Sequence, residues 1–373
     1  MILQSIQVEN FRNIENVFLK PDKNLNIICG KNGQGKTNLL ESIWLLTGSK
    51  SFRAGKDIEL VKKNALANEK TKITAEIINS ENEIKKLEIL IKTDDPKTRA
   101  VRTATINDVE RGKASNLAGI LNSVVFSPEH LSLVKGAPDG RRKFIDACLC
   151  QLYPQYFEVY KRYTRVLLQK NALLKEIKKG IFHGDYQILL DTFDVQMGTL
   201  GSEICFKRQE FIKGLAEMAS ENYKNISDNK EKLSVEYEAC CKECTQKETL
   251  TSEFTNARAL DIKAGFSTFG PHRDDLNLRL NEESAKVFAS QGQQRSVVLA
   301  LKIAEAAMIE KITNTKPILL LDDVLSELDN ERQEYLLTKI KDTQVFVTAC
   351  DTNFFKNSGG ITFEMKNGMG TLL

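Results

Sequence analysis

Residues 30–37 run Gly30-Lys31-Asn32-Gly33-Gln34-Gly35-Lys36-Thr37 and satisfy every fixed position of the pattern GxxxxGKS/T. The chemistry such a stretch supports is phosphate binding. Glycines let the backbone bend until successive N–H groups point at phosphate oxygens, and a helix starting just after them adds partial positive charge. Lys36 then supplies an ammonium to the β- and γ-phosphates of a nucleotide, ATP in the simplest case, and Thr37 offers a hydroxyl to Mg²⁺.

A second feature is Ile318-Leu319-Leu320-Leu321-Asp322-Asp323, four apolar residues ending in two carboxylates. A run this apolar belongs to a central strand buried on both faces, where adjacent carboxylates repel and lose hydration unless a cation sits there. Asp322 is read as the partner of the Mg²⁺ held by Thr37, and Asp323 as the group that orients or deprotonates an attacking water. An N-cap Asp after a core strand is the plainer alternative. A third feature, Ser290-Gln291-Gly292-Gln293-Gln294-Arg295, opens a long helix. Ser290 and the N–H groups of that helix start, with Gly292, make a second phosphate cradle; a simple polar N-cap is the alternative.

These features need particular elements around them. A strand over Leu25 to Ile28 precedes the glycine loop and a helix over Thr37 to Leu46 follows it. Alternating apolar residues place further strands at Ile2, Ile6 and Val8, at Ile73, Ala75 and Ile77, and at Leu87, Ile89 and Ile91, with a turn over Asn79-Ser80-Glu81-Asn82. From about 140 to 250 the period changes to helical. Tyr156, Tyr160, Tyr163, Leu167 and Leu174 lie on one arm of a helical hairpin, and Leu190, Met197, Ile204, Phe211 and Leu215 lie on the other. That hairpin either packs inside one domain or projects as an arm. Residues 265 to 373 return to α/β, with a helix over Ser290 to Ile312, the strand ending at Leu321, a helix over Asn330 to Ile340 and a strand over Val345 to Thr348. The organisation is therefore an α/β head made of 1–125 and 266–373, with a mainly helical lobe over 126–265 inserted between.

The chain has 373 residues with 53 Lys and Arg against 50 Asp and Glu, a net charge of +3 that excludes a bulk polycation. The charge is unevenly spread. Residues 141–179 hold ten Lys and Arg against three acids, net +7, so the remainder is about −4. Arg141, Arg142, Lys161, Arg162 and Arg165 are the candidate contacts to a nucleic-acid backbone, interleaved with Tyr153, Tyr156, Tyr160 and Tyr163 that either stack on bases or pack in a core. No apolar run is long enough to span a bilayer and the first residues alternate like a strand, so a cytoplasmic protein without a membrane partner is expected. Eight cysteines in this length do not make a disulfide framework. Cys240-Cys241-Lys242-Glu243-Cys244 contains one CxxC, but Cys148 and Cys150 have the wrong spacing for the second half of a zinc site, so free thiols are expected.

Ser290 and Gly292 resemble the Leu-Ser-Gly-Gly-Gln signature of ABC-type ATPases, from which Ala289 and Gln291 depart. Ser326 to Asp329 looks like the D-loop of that family. In such ATPases the signature lies too far from its own phosphate loop to touch the same nucleotide, so the resemblance implies two heads sandwiching two ATP molecules in an ATP-dependent homodimer. NFRN at Asn10 to Asn13, GKNGQGKTN at 30–38, SPEHL at 127–131, GPHRDDL at 270–276, SQGQQR at 290–295 and LLLDDVLSELD at 319–329 together resemble the RecF family of bacterial recombination mediators, within the ABC/SMC superfamily. That resemblance implies an ABC-type P-loop ATPase head that binds DNA in an ATP-dependent way at single-strand/double-strand junctions. It also implies cooperation with RecR and RecO in loading RecA at gaps and stalled forks, a part in the SOS response, and residence at the nucleoid. At Arg12, related heads reach the nucleotide or support the phosphate loop; a surface arginine on an edge strand is the alternative. Arg273 is expected to pair with Asp274 and Asp275, and His272 to be structural.

Two departures point to slow, switch-like hydrolysis. Val347-Thr348-Ala349-Cys350-Asp351 carries no His where ABC ATPases place one against the γ-phosphate, leaving Thr348 as the nearest hydroxyl, and Asp323 stands where many relatives carry Glu. Competing possibilities are an SMC-like scaffold, a nuclease-coupled ABC ATPase, which would need an added carboxylate cluster, and a transporter subunit, which would need a fuller signature and that His.

Overall fold

The structure, a computed structural model, describes residues 1–53, 55–62, 70–79, 81–93, 100–350 and 359–373. Ser80 of the expected turn and Asp351 lie outside the described residues. The chain divides into two compact units, Met1–His130 with Val298–Leu373, and Leu131–Val297.

The first unit begins with β1 (Ile2–Phe11), β2 (Ile14–Leu19), β3 (Leu25–Cys29) and α1 (Lys36–Leu45). It continues with β4 (Thr71–Ile78), β5 (Ile84–Thr93), β6 (Ala100–Ile106), β7 (Val109–Lys113) and β8 (Ser123–Phe126). An antiparallel sheet of order β2-β1-β4-β5-β6-β7 buries Ile6, Val8, Ile73, Ala75, Ile77, Leu87, Ile89 and Ile91 on one face, as their alternation requires. Ile2, however, stays half-buried and Leu3 takes the core position instead, because the β1–β4 register shifts between Leu3 and Ser5. Helix α1 packs Leu39, Leu40, Ile43 and Trp44 into the same core.

The second unit is contiguous in sequence. It contains α2 (Ser132–Lys135), α3 (Pro138–Leu152), α4 (Pro154–Lys178), α5 (Tyr186–Ile226), β9 (Leu233–Glu238), α6 (Lys247–Asn256) and α7 (Arg258–Ala264). Strands β10 (Asp275–Leu280) and β11 (Glu283–Ser284), α8 (Ala285–Phe288) and the start of α9 (Gln291–Thr313) complete it. Residues 266–297 fall in this unit, not in the head where the sequence placed them. Strand pairing is the reason: β10 runs antiparallel to β9 from Asp275↔Glu238 to Leu280↔Leu233. The α4–α5 hairpin is packed within its own unit, its tip closed by Leu173, Leu174 and Leu190 with Ile177, Tyr186, Phe193 and Ile262 of α7.

One buried polar cluster in its core centres on Arg208. The Arg208 guanidinium, 2% exposed, holds both oxygens of Asp146 at 2.9 Å, the Pro271 carbonyl at 2.6 Å and Asp274 at 3.0 Å. Tyr156 donates to Asp146 at 2.6 Å and Tyr237 donates to Asp274. Replacing Arg208 by Met leaves two carboxylates buried without their cation, and the second unit is expected to lose about 3–5 kcal/mol, read as a lower urea midpoint by far-UV circular dichroism.

The chain then returns to the first unit with β12 (Ile318–Leu321), α10 (Asn330–Lys339), β13 (Val345–Ala349), β14 (Ile361–Lys366) and β15 (Met369–Leu372). These join a second sheet of order β15-β14-β3-β13-β12-β8, in which β14, β3, β13, β12 and β8 are parallel. β12 is buried along its whole length between β13 and β8, as four consecutive apolar residues demand. The two sheets are tied by Gln344, whose side-chain amide donates to the carbonyls of Leu3 and Asp22 at 2.9 Å while its oxygen accepts from the Leu3 N–H at 2.7 Å.

Candidate nucleotide site

The loop between β3 and α1 is shaped for an anion. Gly30 has φ +140°, and a Cβ there would stand 2.4 Å from the Met365 carbonyl oxygen; Gly35 has φ +103° and opens α1 with no side-chain cap. The first helical hydrogen bond is from the Leu39 N–H to Gly35 at 2.9 Å, so the N–H groups of Lys36, Thr37 and Asn38 have no intrahelical acceptor. Lys36 is buried, its ammonium held over the loop by the carbonyls of Gly30 at 2.5 Å and Lys31 at 3.1 Å. Asn32 accepts from the exposed Cys350 thiol at 3.0 Å, and Gln34 accepts from the Asn367 N–H of the β14–β15 turn at 2.5 Å.

The NFRN stretch braces this loop. Asn13 donates to the Gly33 carbonyl at 2.7 Å and accepts from Asn38 at 2.7 Å. Arg12 pairs with Glu41 of α1 at 2.5 Å and 2.8 Å, and Ser51 also donates to that carboxylate. Glu41 is fully buried, so the pair anchors α1 beneath the loop; Arg12 is a strut here and not a surface arginine.

Asp322 and Asp323 emerge where β12 ends, beside the start of α1. Thr37 donates its hydroxyl to Asp322 Oδ1 at 2.8 Å. Thr348 donates to the same oxygen at 3.1 Å and accepts from the Asp323 N–H at 2.8 Å. Asp323 sits in the left-handed region with φ +54°, and Ser326 donates to both its carbonyl and its carboxylate, at 2.8 Å and 3.1 Å. Asp329 caps α10, accepting from the Arg332 N–H at 3.0 Å. Burial pushes the Asp322 carboxyl above its ordinary range, opposed by the two threonine hydroxyls and the charge of Arg53. Arg53, held by Asn38 at 3.0 Å, is a cation of the site with no signal in the sequence beyond an arginine in a loop.

A hydroxyl and a carboxylate 2.8 Å apart are hard oxygen donors of the kind Mg²⁺ takes together with phosphate oxygens, and the uncapped helix start suits the phosphates themselves. ATP and Mg²⁺ therefore fit the residues present, with Thr37 and Asp322 on the metal side and 30–37 on the phosphate side.

Ser290 and Gly292 belong to the second unit. Ser290 Oγ accepts from the Gln293 N–H at 3.2 Å while Gln293 Oε1 accepts from the Ser290 N–H at 2.7 Å, a reciprocal cap on α9. The N-cap alternative is thus realised, yet it does not consume the serine proton, and Ser290 is exposed. Gln293 is braced in turn by Glu231 at 2.6 Å, which also accepts from Tyr223 at 2.7 Å.

The cationic candidates separate by burial. Arg141 is 5% exposed, bidentate to Asp275 at 2.6 Å and 2.7 Å, and Arg142 donates to the Asp274 carbonyl at 2.7 Å. Both are structural and are withdrawn as contacts to a nucleic-acid backbone. Asp274 and Asp275 therefore pair with Arg208 and Arg141, while Arg273 donates to the Ser267 carbonyl at 2.8 Å. Lys170 is fully buried between Asp194 and Asp261. Lys161, Arg162 and Arg165 remain exposed on α4. Tyr156 and Tyr163 are core residues: Tyr163 donates to His272 Nδ1 at 2.7 Å, and His272 Nε2 faces the Ser267 carbonyl at 3.1 Å. Burial lowers the His272 pKa to about 4, so the ring is neutral and structural. The cysteines are free thiols, Cys205 and Cys244 fully buried, and no group of three or more metal-ligating side chains occurs among the described residues. Among those residues, no helix is long and apolar enough to cross a membrane.

Comparison with known proteins finds likenesses along nearly the whole chain. The family model described as RecF/RecN/SMC N terminal domain matches residues 2–368. The chain is 38% identical over 359 residues to the DNA replication and repair protein RecF of Lactobacillus acidophilus, covering 94% of this chain and 92% of that one. It superposes with a TM-score of 0.89 and 33% identity on a solved structure of the recombination mediator protein RecF with ATP in the RecFOR pathway, covering 100% of this chain and 97% of that one. An Smc head domain from Pyrococcus furiosus bound to the C-terminal domain of ScpA superposes with a TM-score of 0.55 at 15% identity, over 100% and 96% of the two chains, which is a likeness of fold alone.

Proposed function

The chain belongs to the RecF/RecN/SMC N-terminal-domain family, an ABC/SMC-type ATPase family, and within it to the RecF proteins of DNA replication and repair; from that premise we propose that it is a slow ATPase whose nucleotide closes a homodimer on DNA. The observation that carries this reading is that the phosphate loop and the signature serine are carried by different units. The first unit supplies the phosphate loop, Thr37, Asp322 and Asp323, while the second carries an exposed Ser290 with a hydroxyl proton still available.

Bound Mg²⁺ would neutralise phosphate charge between Thr37 and Asp322. Lys36 turns from its own loop carbonyls to the phosphates, the N–H groups of 36–38 hold the oxygens, and Asp323 orients the attacking water and receives its proton. The twin's Ser290 and α9 N-terminus close the far side. Turnover slower than roughly 10 per second is expected, because Asp323 is one methylene short of the usual Glu and Thr348 has given its only proton to Asp322. Light scattering tests the reading directly: one mass without nucleotide and twice that mass with MgATP. An unchanged mass at saturating MgATP and DNA would end it.

DNA meets the protein at exposed α4, through Lys161, Arg162 and Arg165. The double variant Arg162→Glu with Arg165→Glu is expected to bind gapped duplex more weakly, its salt-dependence slope reduced by roughly two units, one per lost phosphate contact. Equal affinity and slope in a salt titration by fluorescence anisotropy would remove α4 from the interface. The relative's place in the RecFOR pathway supports RecR and RecO as partners, RecA loading at gaps and stalled forks and support of the SOS response as the outcome, and a cytoplasmic, nucleoid-associated location.

A further inference from the structure

Thr348 sits one residue beyond the Leu321↔Val347 pair of β12 and β13, so its side chain emerges beside Asp322 and Asp323. It is 4% exposed. Its single hydroxyl takes part in two bonds, accepting from the Asp323 N–H at 2.8 Å and donating to Asp322 Oδ1 at 3.1 Å. Having given its proton to Asp322, it has none for a nucleotide, so it does not replace the missing imidazole. We infer that Thr348 is a positioning residue that locks the metal-side carboxylate and the water-side carboxylate into one corner. The inference rests on the ATPase reading of this site.

Three local facts make that corner depend on one hydroxyl. Asp323 is left-handed at φ +54°, a strained conformation that an Asp tolerates, and the bond from its N–H to Thr348 holds it from one side while Ser326 holds it from the other. Asp322 Oδ1 takes both threonine hydroxyls, which fixes the carboxylate plane, and Oδ2 has no hydrogen-bond partner among the described residues. Without Thr348 Oγ1 the carboxylate keeps only the Thr37 bond and can rotate, and the Asp323 N–H loses its acceptor. A displacement of about 1 Å at a reacting group is worth roughly 100-fold in rate.

Thr348→Val keeps the shape and removes the hydroxyl; Thr348→Ser restores it. Three measurements separate a positioning role from a merely structural one: amide exchange across Asp322–Ser326, Mn²⁺ affinity by electron paramagnetic resonance with a non-hydrolysable ATP analogue, and kcat apart from KM. The valine variant is expected to exchange the Asp323 amide at least tenfold faster and to hold Mn²⁺ about tenfold more weakly. It is also expected to lose roughly 100-fold in kcat with KM for ATP nearly unchanged, since 30–37 still hold the phosphates. The serine variant should recover all three. If Thr348→Val does not fold, Thr348→Ala takes its place with the same expected losses. Wild-type values in the variant lacking the hydroxyl, or a serine variant as impaired as valine, would overturn the inference. Asp322→Asn in the same assays separates the two readings: if it too behaves as wild type, the hydrolytic reading fails, whereas if it is inactive beside a normal Thr348→Val, only the role of Thr348 fails.

Discussion

Asp323→Asn is expected to cut ATP turnover by roughly 10²–10⁴-fold while leaving nucleotide-driven pairing intact. The amide keeps the size of the side chain and still offers an oxygen to Ser326, so the left-handed turn at 323 survives. What it loses is the ability to take a proton from water. Nothing in 30–37 or at Ser290 changes, so MgATP still binds and still brings two copies together. The variant should therefore collect as an ATP-loaded dimer that outlives the wild-type one in light scattering after free nucleotide is removed. A turnover within tenfold of wild type would place the base on another side chain.

Mixing two inactive variants gives an equally large and more specific effect. Lys36→Ala disables the phosphate loop, and Ser290→Arg fills the cradle at the α9 N-terminus with a bulky cation. Alone, each is expected to hydrolyse at the background level, because every pocket in a homodimer then carries one defective half. In the mixed dimer both defects fall in one pocket, and the other combines an intact loop with an intact Ser290. Activity should return to at most about a quarter of wild type in a one-to-one mixture, the share left when half the dimers hold one good site. No recovery, with mixed dimers demonstrated by size, would mean that Ser290 does not act across the pair. Normal hydrolysis by Ser290→Arg alone would mean the same.

The parts of the site that can be read from sequence are those whose chemistry dictates residue type over a short span. Residues 30–37 and the Leu321–Asp323 strand end are of this kind: the bends need glycine, the phosphates need Lys36, and a fully buried strand needs an unbroken apolar run. What the sequence hides depends on register between distant segments. Arg12 meets Glu41, Thr348 meets Asp323, Gln344 meets Leu3 and Arg208 meets Asp146 only once strands and helices have stacked. The cationic stretch misleads for a related reason. Counting charge over 141–179 does not distinguish Arg141, turned inward to Asp275, from Arg162, turned outward on α4. The boundary expected at 265 fails because β10 pairs with β9, a partnership between short alternating segments that have no composition break around them.

Strand β3 lies between β13 and β14, and each of those neighbours is more than three hundred residues downstream. On a ribosome making about 5–20 residues per second, the strand that ends in the phosphate loop waits roughly 15–70 s for its hydrogen-bonding edges to be synthesised. The contiguous helical unit is complete at Val297, 48 residues before β13 begins at Val345. Nascent chains interrupted between residues 298 and 344 thus carry a finished lobe and a catalytic sheet with a gap at its centre, an open edge on which chaperones or another nascent chain can settle.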